Sequence, residues 1–176
     1  MSQRKAIRNA VVALLQAGMS IGASKVFESR VVPTHYEELP AVTVYSLSEH
    51  NELFSAGAKQ MRRTLRLAIE IAVQAVGNVD DALDDLAEEV ENIMRANEDL
   101  SGTCSDFLPR DVEIDLQPSG EQVIGGLRIT YDVTYFTDEY ADASGLDPFE
   151  QANTNYVVQG GADVPHPASD DVFPEQ

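Results

Sequence analysis

The sequence predicts an α+β domain: a largely antiparallel or mixed sheet of about five strands with two helices on one face, followed by an extended acidic C-terminal segment. Three observations carry that prediction. From Leu65 to Val73 the odd positions read Leu, Leu, Ile, Ile, Val while Arg66, Ala68, Glu70 and Ala72 lie between them, the period-two signature of a half-buried strand. Two other stretches repeat their apolar residues at three-and-four spacing, as amphipathic helices do. The elements also come in the order helix, three strands, helix, two strands, which suits antiparallel neighbours better than repeated βαβ units.

The first helix follows from Ala6, Ile7, Ala10, Val11, Leu14 and Leu15, with Ser2 as a suitable N-cap and Gly18 closing it. Two short β-like runs come next, KVFESRVV (25–32) and AVTVYSL (41–47), separated by PTHYEELP, whose prolines punctuate the chain. The polar link SEHNELFSAGAKQ (48–60) reads as a long loop leading into the alternating strand. After Gly77 the period changes: Leu83, Leu86, Ala87, Val90, Ile93 and Met94 form one stripe, so Asp80 to about Asn97 reads as the second helix, capped by Asn78 or Asp80. DVEIDLQ (111–117) is a strand expected to bury Val112, Ile114 and Leu116, and the turn PSGE reverses the chain. QVIGGLRITYDVTYF (122–136) then alternates again, with Leu127, Ile129, Tyr131, Val133 and Tyr135 on one face.

If this last strand lies antiparallel beside the Leu65–Val73 strand, a register that sets Ile69 opposite Ile129 sets Leu67 opposite Tyr131. On the other face the same register brings Arg66 to Asp132 and Glu70 to Arg128, two pairs of opposite charge.

Residues 1–136 thus form the α+β core. From Thr137 to Gln176 there are nine acidic residues, no Lys or Arg, and four prolines, a composition that buries too little apolar area to offset its ordering entropy. The segment is expected to be either disordered or an arm that orders on assembly, with Leu146, Phe149, Tyr156, Val157, Val158 and Phe173 as its anchors.

Composition narrows the function. The 176 residues are 43% hydrophobic, enough for a real core, and carry 12 basic against 30 acidic side chains for a formal net charge of −18. Such a charge repels phosphate backbones, so a dedicated nucleic-acid binder is not expected. No apolar run reaches the roughly 20 residues of a membrane-spanning helix, and MSQRKAIRNA lacks the charged-then-apolar order of a secretory signal, so the chain reads as cytoplasmic. The single cysteine, Cys104, forms no internal disulfide and builds no thiolate metal site alone.

Catalytic readings are weak. DDALD (80–84) has the spacing that puts carboxylates on one helical turn for a divalent cation, and with Asp85 it offers Asp80, Asp81, Asp84 and Asp85 to a metal-dependent enzyme. Carboxylates in a first helical turn are equally explained by the helix dipole, and the acidic run continues along a solvated face. Cys104 with His35 or His50 is the residue set for a nucleophile and its base, although a lone loop cysteine is usually incidental, and His166 lies between prolines without a scaffold. No Gly-rich phosphate loop, GxSxG or HExxH occurs. No enzyme, cofactor or metal is therefore expected. Arg62, Arg63 and Arg66 form the one local basic cluster, at the exposed entry of the long strand, and are expected to pair with carboxylates within the sheet or across a subunit boundary.

The succession of the first helix, LPAVTVY (39–45), RRTLRLAIEI (62–71), DDALDDLAEEVENIM (80–94) and GGLRITYDVTYFTDEY (125–140) resembles the tail terminator proteins of long-tailed bacteriophages, the minor tail protein U family, over roughly residues 4 to 136. The resemblance implies a structural virion protein that assembles as a homo-hexameric ring on the end of the tail tube. Such a ring ends tube polymerisation and presents the surface that the head-tail connector joins. It implies the tail tube protein and the connector as partners, DNA passing through the bore without specific binding, no membrane, and a place at the head-tail junction of a virion assembled in the host cytoplasm. Another head-to-tail connector or completion protein is the structural alternative. For the ring, Arg62, Arg63, Arg66 and Glu70 are the subunit-interface candidates. The segment after Tyr140 falls outside the resemblance.

Overall fold

The alternation that opens at Leu65 becomes the centre of a five-stranded mixed sheet. In a computed structural model, which describes residues 2–29, 36–56, 59–75, 78–119, 122–139, 152–155 and 169–172, helix α1 (Gln3–Gly18) is followed by β1 (Val26–Glu28), β2 (Ala41–Ser55), β3 (Gln60–Ala75), α2 (Val79–Arg95), β4 (Asp106–Ser119) and β5 (Gln122–Asp138). The strand order is β1-β2-β3-β5-β4, with β1 parallel to β2 and every other pair antiparallel. Residues Met1–Glu139 form one compact unit and Tyr140–Gln176 a second, in which Ala152–Asn155 pairs antiparallel with Ser169–Val172. Residues 137–139 continue from β5, and the rest of the expected extension, with all six of its named anchors, lies outside the described residues.

Both helices cover one face. The odd residues Leu65, Leu67, Ile69, Ile71 and Val73 of β3 and Leu127, Ile129, Tyr131, Val133 and Tyr135 of β5 are all buried, together with Val42 and Val44 of β2. They form one cluster with Ile7, Val11 and Leu15 of α1 and Leu83, Val90 and Met94 of α2. The expected register is present residue for residue: Ile69 opposite Ile129, Leu67 opposite Tyr131, Arg66 opposite Asp132, Glu70 opposite Arg128. Helix α1 ends at Gly18, where a Cβ would stand 2.8 Å from Ile93 Cδ1, so glycine there lets the two helices approach. Asn78 is the residue that precedes α2, and its side chain reaches Asp81 Oδ2 at 2.8 Å.

Three expectations are corrected. The link 48–60 is not a loop for most of its length, because β2 runs on to Ser55 and β3 starts at Gln60, pairing as a long hairpin. Its polar residues gave no apolar alternation to read, since this part of β2 is held by backbone pairing and cross-strand charges. The first short strand covers only Val26–Glu28, and residues 30–35 lie outside the described residues. Val112, Ile114 and Leu116 are exposed at 53%, 54% and 44% instead of buried. Their parity is right, opposite Ile129, Leu127 and Gly125, but β4 is the edge strand and α2 packs over β3 and β5.

Three register shifts adjust the pleat. In β2 the pairing steps from Ser46–Leu67 to Ser48–Arg66, leaving Leu47 extra, and again from Leu53–Met61 to Ser55–Gln60, leaving Phe54 extra; in β4 it steps from Pro109–Tyr131 to Asp111–Thr130, leaving Arg110 extra.

Candidate functional site

The face of the sheet away from the helices is laid out by the even residues of β3 and β5, and it is a lattice of ion pairs. Asp132 accepts from Arg66 Nε at 3.4 Å and from Arg110 Nη1 at 2.6 Å. Glu70 accepts from Arg128 Nε at 2.9 Å and Nη2 at 2.6 Å, and Arg128 Nη1 lies 3.6 Å from Glu113. The paired carboxylates hold the guanidiniums of Arg110 and Arg128 above their ordinary range, chiefly through the hydrogen bonds to Asp132 and Glu70. Farther along, Arg62 Nε donates to Glu52 Oε1 at 2.5 Å, which holds the Glu52 carboxyl below its usual value. Exposed pairs of this kind contribute about 0.2–1 kcal/mol each, so they set register more than stability.

Of the four sequence candidates, Arg66, Glu70 and Arg62 lie on this open face. Arg63 does not. It points to the helix side, where its guanidinium donates to Glu49 Oε1 at 3.2 Å, Glu139 Oε1 at 2.5 Å and Thr137 Oγ1 at 2.7 Å. Its partner Glu49 is the hub that sequence reading missed. The Glu49 side chain is only 8% exposed, faces Arg4 at 3.6 Å, and accepts from the Tyr135 hydroxyl at 2.5 Å. Burial, reinforced by that hydrogen bond, pushes the Tyr135 phenol up to about 12. The only sequence signal for this hub was a carboxylate inside a segment that looked like a loop.

The catalytic alternatives are laid out differently. Cys104 is buried in the core cluster and donates toward the Glu98 carbonyl at 3.5 Å, while His50 lies on the opposite, open face beside Thr64 and Arg66. Burial, with Asp99 adding to it, pushes the Cys104 thiol up to about 11, the reverse of what a nucleophile needs. His35 and His166 lie outside the described residues. Asp80, Asp81, Asp84 and Asp85 are exposed on the first turns of α2, and among the described residues no group of three or more His, Cys, Asp or Glu is placed to hold a metal ion. Among the described residues no helix is long and apolar enough to cross a membrane.

What distinguishes the surface is apolar side chains left in water at both lateral edges of the sheet. On the β2 side these are Leu47, Leu53 and Phe54, exposed at 50%, 58% and 57%, and Phe54 meets Phe136 edge-on at 4.8 Å. On the β4 side they are Leu108, Val112, Ile114 and Leu116. This is the anatomy of a part made to be covered, and it holds no reactive group.

The model of the phage minor tail protein U family matches residues 2–135, almost the whole of the helix-and-sheet unit. The chain belongs to the phage minor tail protein U family. As a minor tail protein it is a structural component of a phage tail, not an enzyme, and the ion-pair face and bare apolar edges are to be understood as surfaces of a virion part. No curated protein matches the chain in sequence. Among solved structures it is similar to a chain from the virion of a native gene transfer agent particle, with 11% identity, a TM-score of 0.47, and coverage of 76% of this chain and 98% of that one.

Proposed function

We propose that this minor tail protein is the tail terminator: six copies close into a ring on the end of the tail tube, stop its polymerisation and offer the surface to which the head connector joins. The observation that carries the reading is that the family match spans the folded unit from residue 2 to residue 135. The fold supports it physically. A ring arises from one heterologous contact repeated until it closes, and a sheet with two different open edges supplies the two unlike surfaces that such a contact requires. Among the described residues, the arginines of the open face, Arg62, Arg66, Arg110 and Arg128, are each already paired with a carboxylate, which leaves them little attraction for phosphates. With a net charge of −18 around it, DNA passes such a surface without adhering. Arg62, Arg66 and Glu70 then serve the ring as register-setting residues of that face, and Arg63 as a brace for the strand that carries them.

The test has two arms. Native mass spectrometry of the purified chain should show a hexamer; a dodecamer would move the protein to the connector class and overturn the terminator assignment. Phage lacking this gene product should build tails of uncontrolled length that fail to join filled heads, and normal tails on filled heads would overturn it as well.

A further inference from the structure

Two helices are too few to roof a five-stranded sheet. Strands lie about 4.8 Å apart and packed helices about 10 Å apart, so two helices cover about four strands. Here α1 packs over β1 and β2, and α2 over β3 and β5, which leaves the helix side of β4 bare. The bare strip runs the length of α2. At one end Leu116 Cδ2 lies 3.4 Å from the point where a Cβ on Gly125 would also meet Val79 and Leu83 of α2. At the other, Phe107, Pro109 and Tyr131 border a cavity of about 350 Å³ together with Glu91, Arg95 and Glu98. Between the two ends stand Val112 and Ile114, on the same side of the sheet as Ile129 and Leu127 and more than half exposed. The strip is the floor of a groove beside α2, about 25 Å long for the 17 residues of that helix.

The α2 wall of this groove is acidic. Glu91 and Arg95 line it, Asp84 shares their face because it precedes Glu91 by about two helical turns, Asp80 stands one turn farther back, and Glu98 follows the helix end. Arg95 lies 3.9 Å from Glu91, whereas among the described residues Asp80, Asp84 and Glu98 stand in no ion pair. The negative end of the α2 dipole adds to them at the Tyr131 end. In that end the Tyr131 hydroxyl has no hydrogen-bond partner, although the residue is only 2% exposed. Burial, with the Glu91 charge adding to it, pushes the phenol up and keeps it neutral. A buried hydroxyl is normally hydrogen-bonded, so this one marks a place where an N–H of a guest would find an acceptor.

We infer that this groove receives a helix of a different protein, one whose apolar stripe is bordered by Lys or Arg. It completes the helix layer beside α2: the stripe covers Val112, Ile114 and Leu116, and the cations meet Asp80, Asp84 and Glu98. The chain has no such helix to give to a second copy. The apolar stripes of α1 and α2 are spent on the core, and eight of the nine arginines are ion-paired within the chain. Residues 137–176 contain no Lys or Arg, so they lack the chemistry as well. The site lies on the face of β4 and leaves its lateral backbone edge free, so it does not depend on the ring.

The test uses the full chain and a fluorescent leucine-lysine peptide of about 18 residues, long enough to span the groove as a helix, beside a control peptide with glutamate for every lysine. By fluorescence anisotropy the lysine peptide should bind and the glutamate peptide should not, and the methyl resonances of Val112 and Ile114 should shift on binding. Ile114→Ser should weaken the lysine peptide about tenfold. Asp84→Lys with Glu98→Lys should lose the lysine peptide and gain the glutamate one, and Glu98→Lys alone serves where the paired change lowers the thermal midpoint. No binding of the lysine peptide, binding that ignores both groove variants, or methyl shifts confined to other surfaces would overturn the site. Equal binding of the two peptides would overturn the basic character of the partner. Self-association of the wild-type chain that Ile114→Ser abolishes would show a second copy on the strip, and would overturn the assignment to a different protein while leaving the ring reading standing.

Discussion

Cys104 shows how one residue type changes meaning with its surroundings. In sequence it sits in SGTCSDF, a small polar stretch that suggests access to solvent, yet the side chain turns inward to join the core with Leu100 and Phe107. Burial lifts its thiol from 9.0 to about 11, which lowers the thiolate fraction at pH 8 about 100-fold. Alkylation by iodoacetamide at that pH should be slower in the native chain than in urea by at least that factor, as read by mass increase with time; equal rates would place the thiol in solvent. The sign for stability follows from the raised value. The protonated thiol is favoured in the folded chain, so its contribution is complete below pH 9 and is lost as pH rises through about 11.

Elements show which parts of the fold a sequence can announce. The β3 and β5 strands were legible, down to register, because each keeps five apolar residues in phase on one face and places opposite charges on the other. The far half of β2 was not legible. From Ser48 to Glu52 it carries five polar residues in succession, so no apolar period marks either face, and only its backbone pairing with the start of β3 makes it a strand. For β4 the alternation gave the correct face and the wrong burial, since period two reports which way a side chain points and not whether a helix lies above it. Helix α2 lies close to the sheet at Gly125, where a Cβ would come within 2.3 Å of Val79 Cγ1 and 2.8 Å of Leu83 Cδ1. Gly125→Ala should therefore push the first turn of α2 outward and destabilise the domain by about 1–3 kcal/mol, measured by urea denaturation. An unchanged midpoint would mean that the turn yields freely.

For the whole molecule, the interface candidates were the least legible part. Arg62, Arg63, Arg66 and Glu70 were chosen because they cluster in sequence, and three of them do share a face. The bare apolar edges became visible only once the strand order was known, because Leu53 and Ile114 are far apart in sequence and reach opposite edges through β3 and β5. The chain divides into two compact units, Met1–Glu139 and Tyr140–Gln176. We propose that the second unit contributes to assembly and not to the stability of the first. Deleting residues 141–176 should then leave the thermal midpoint of the remainder nearly unchanged, and a fall of more than about 4 °C, on the order of 1 kcal/mol for a domain of this size, would show the segment to be part of the core.

The bulge at Leu47 has one more consequence. Strand side chains have only two orientations, up and down, so one surplus residue inverts the phase of everything that follows it. Val44 and Ser46 point toward the helices by even number; past Leu47 it is Glu49 and Asn51 that do so, by odd number. Glu49 thus owes its inward position, beneath Arg4, Arg63 and Tyr135, to a residue two places before it that touches none of them as a partner. Leu47 works as a parity bit: its side chain faces solvent, and its presence in the count decides which half of β2 faces in.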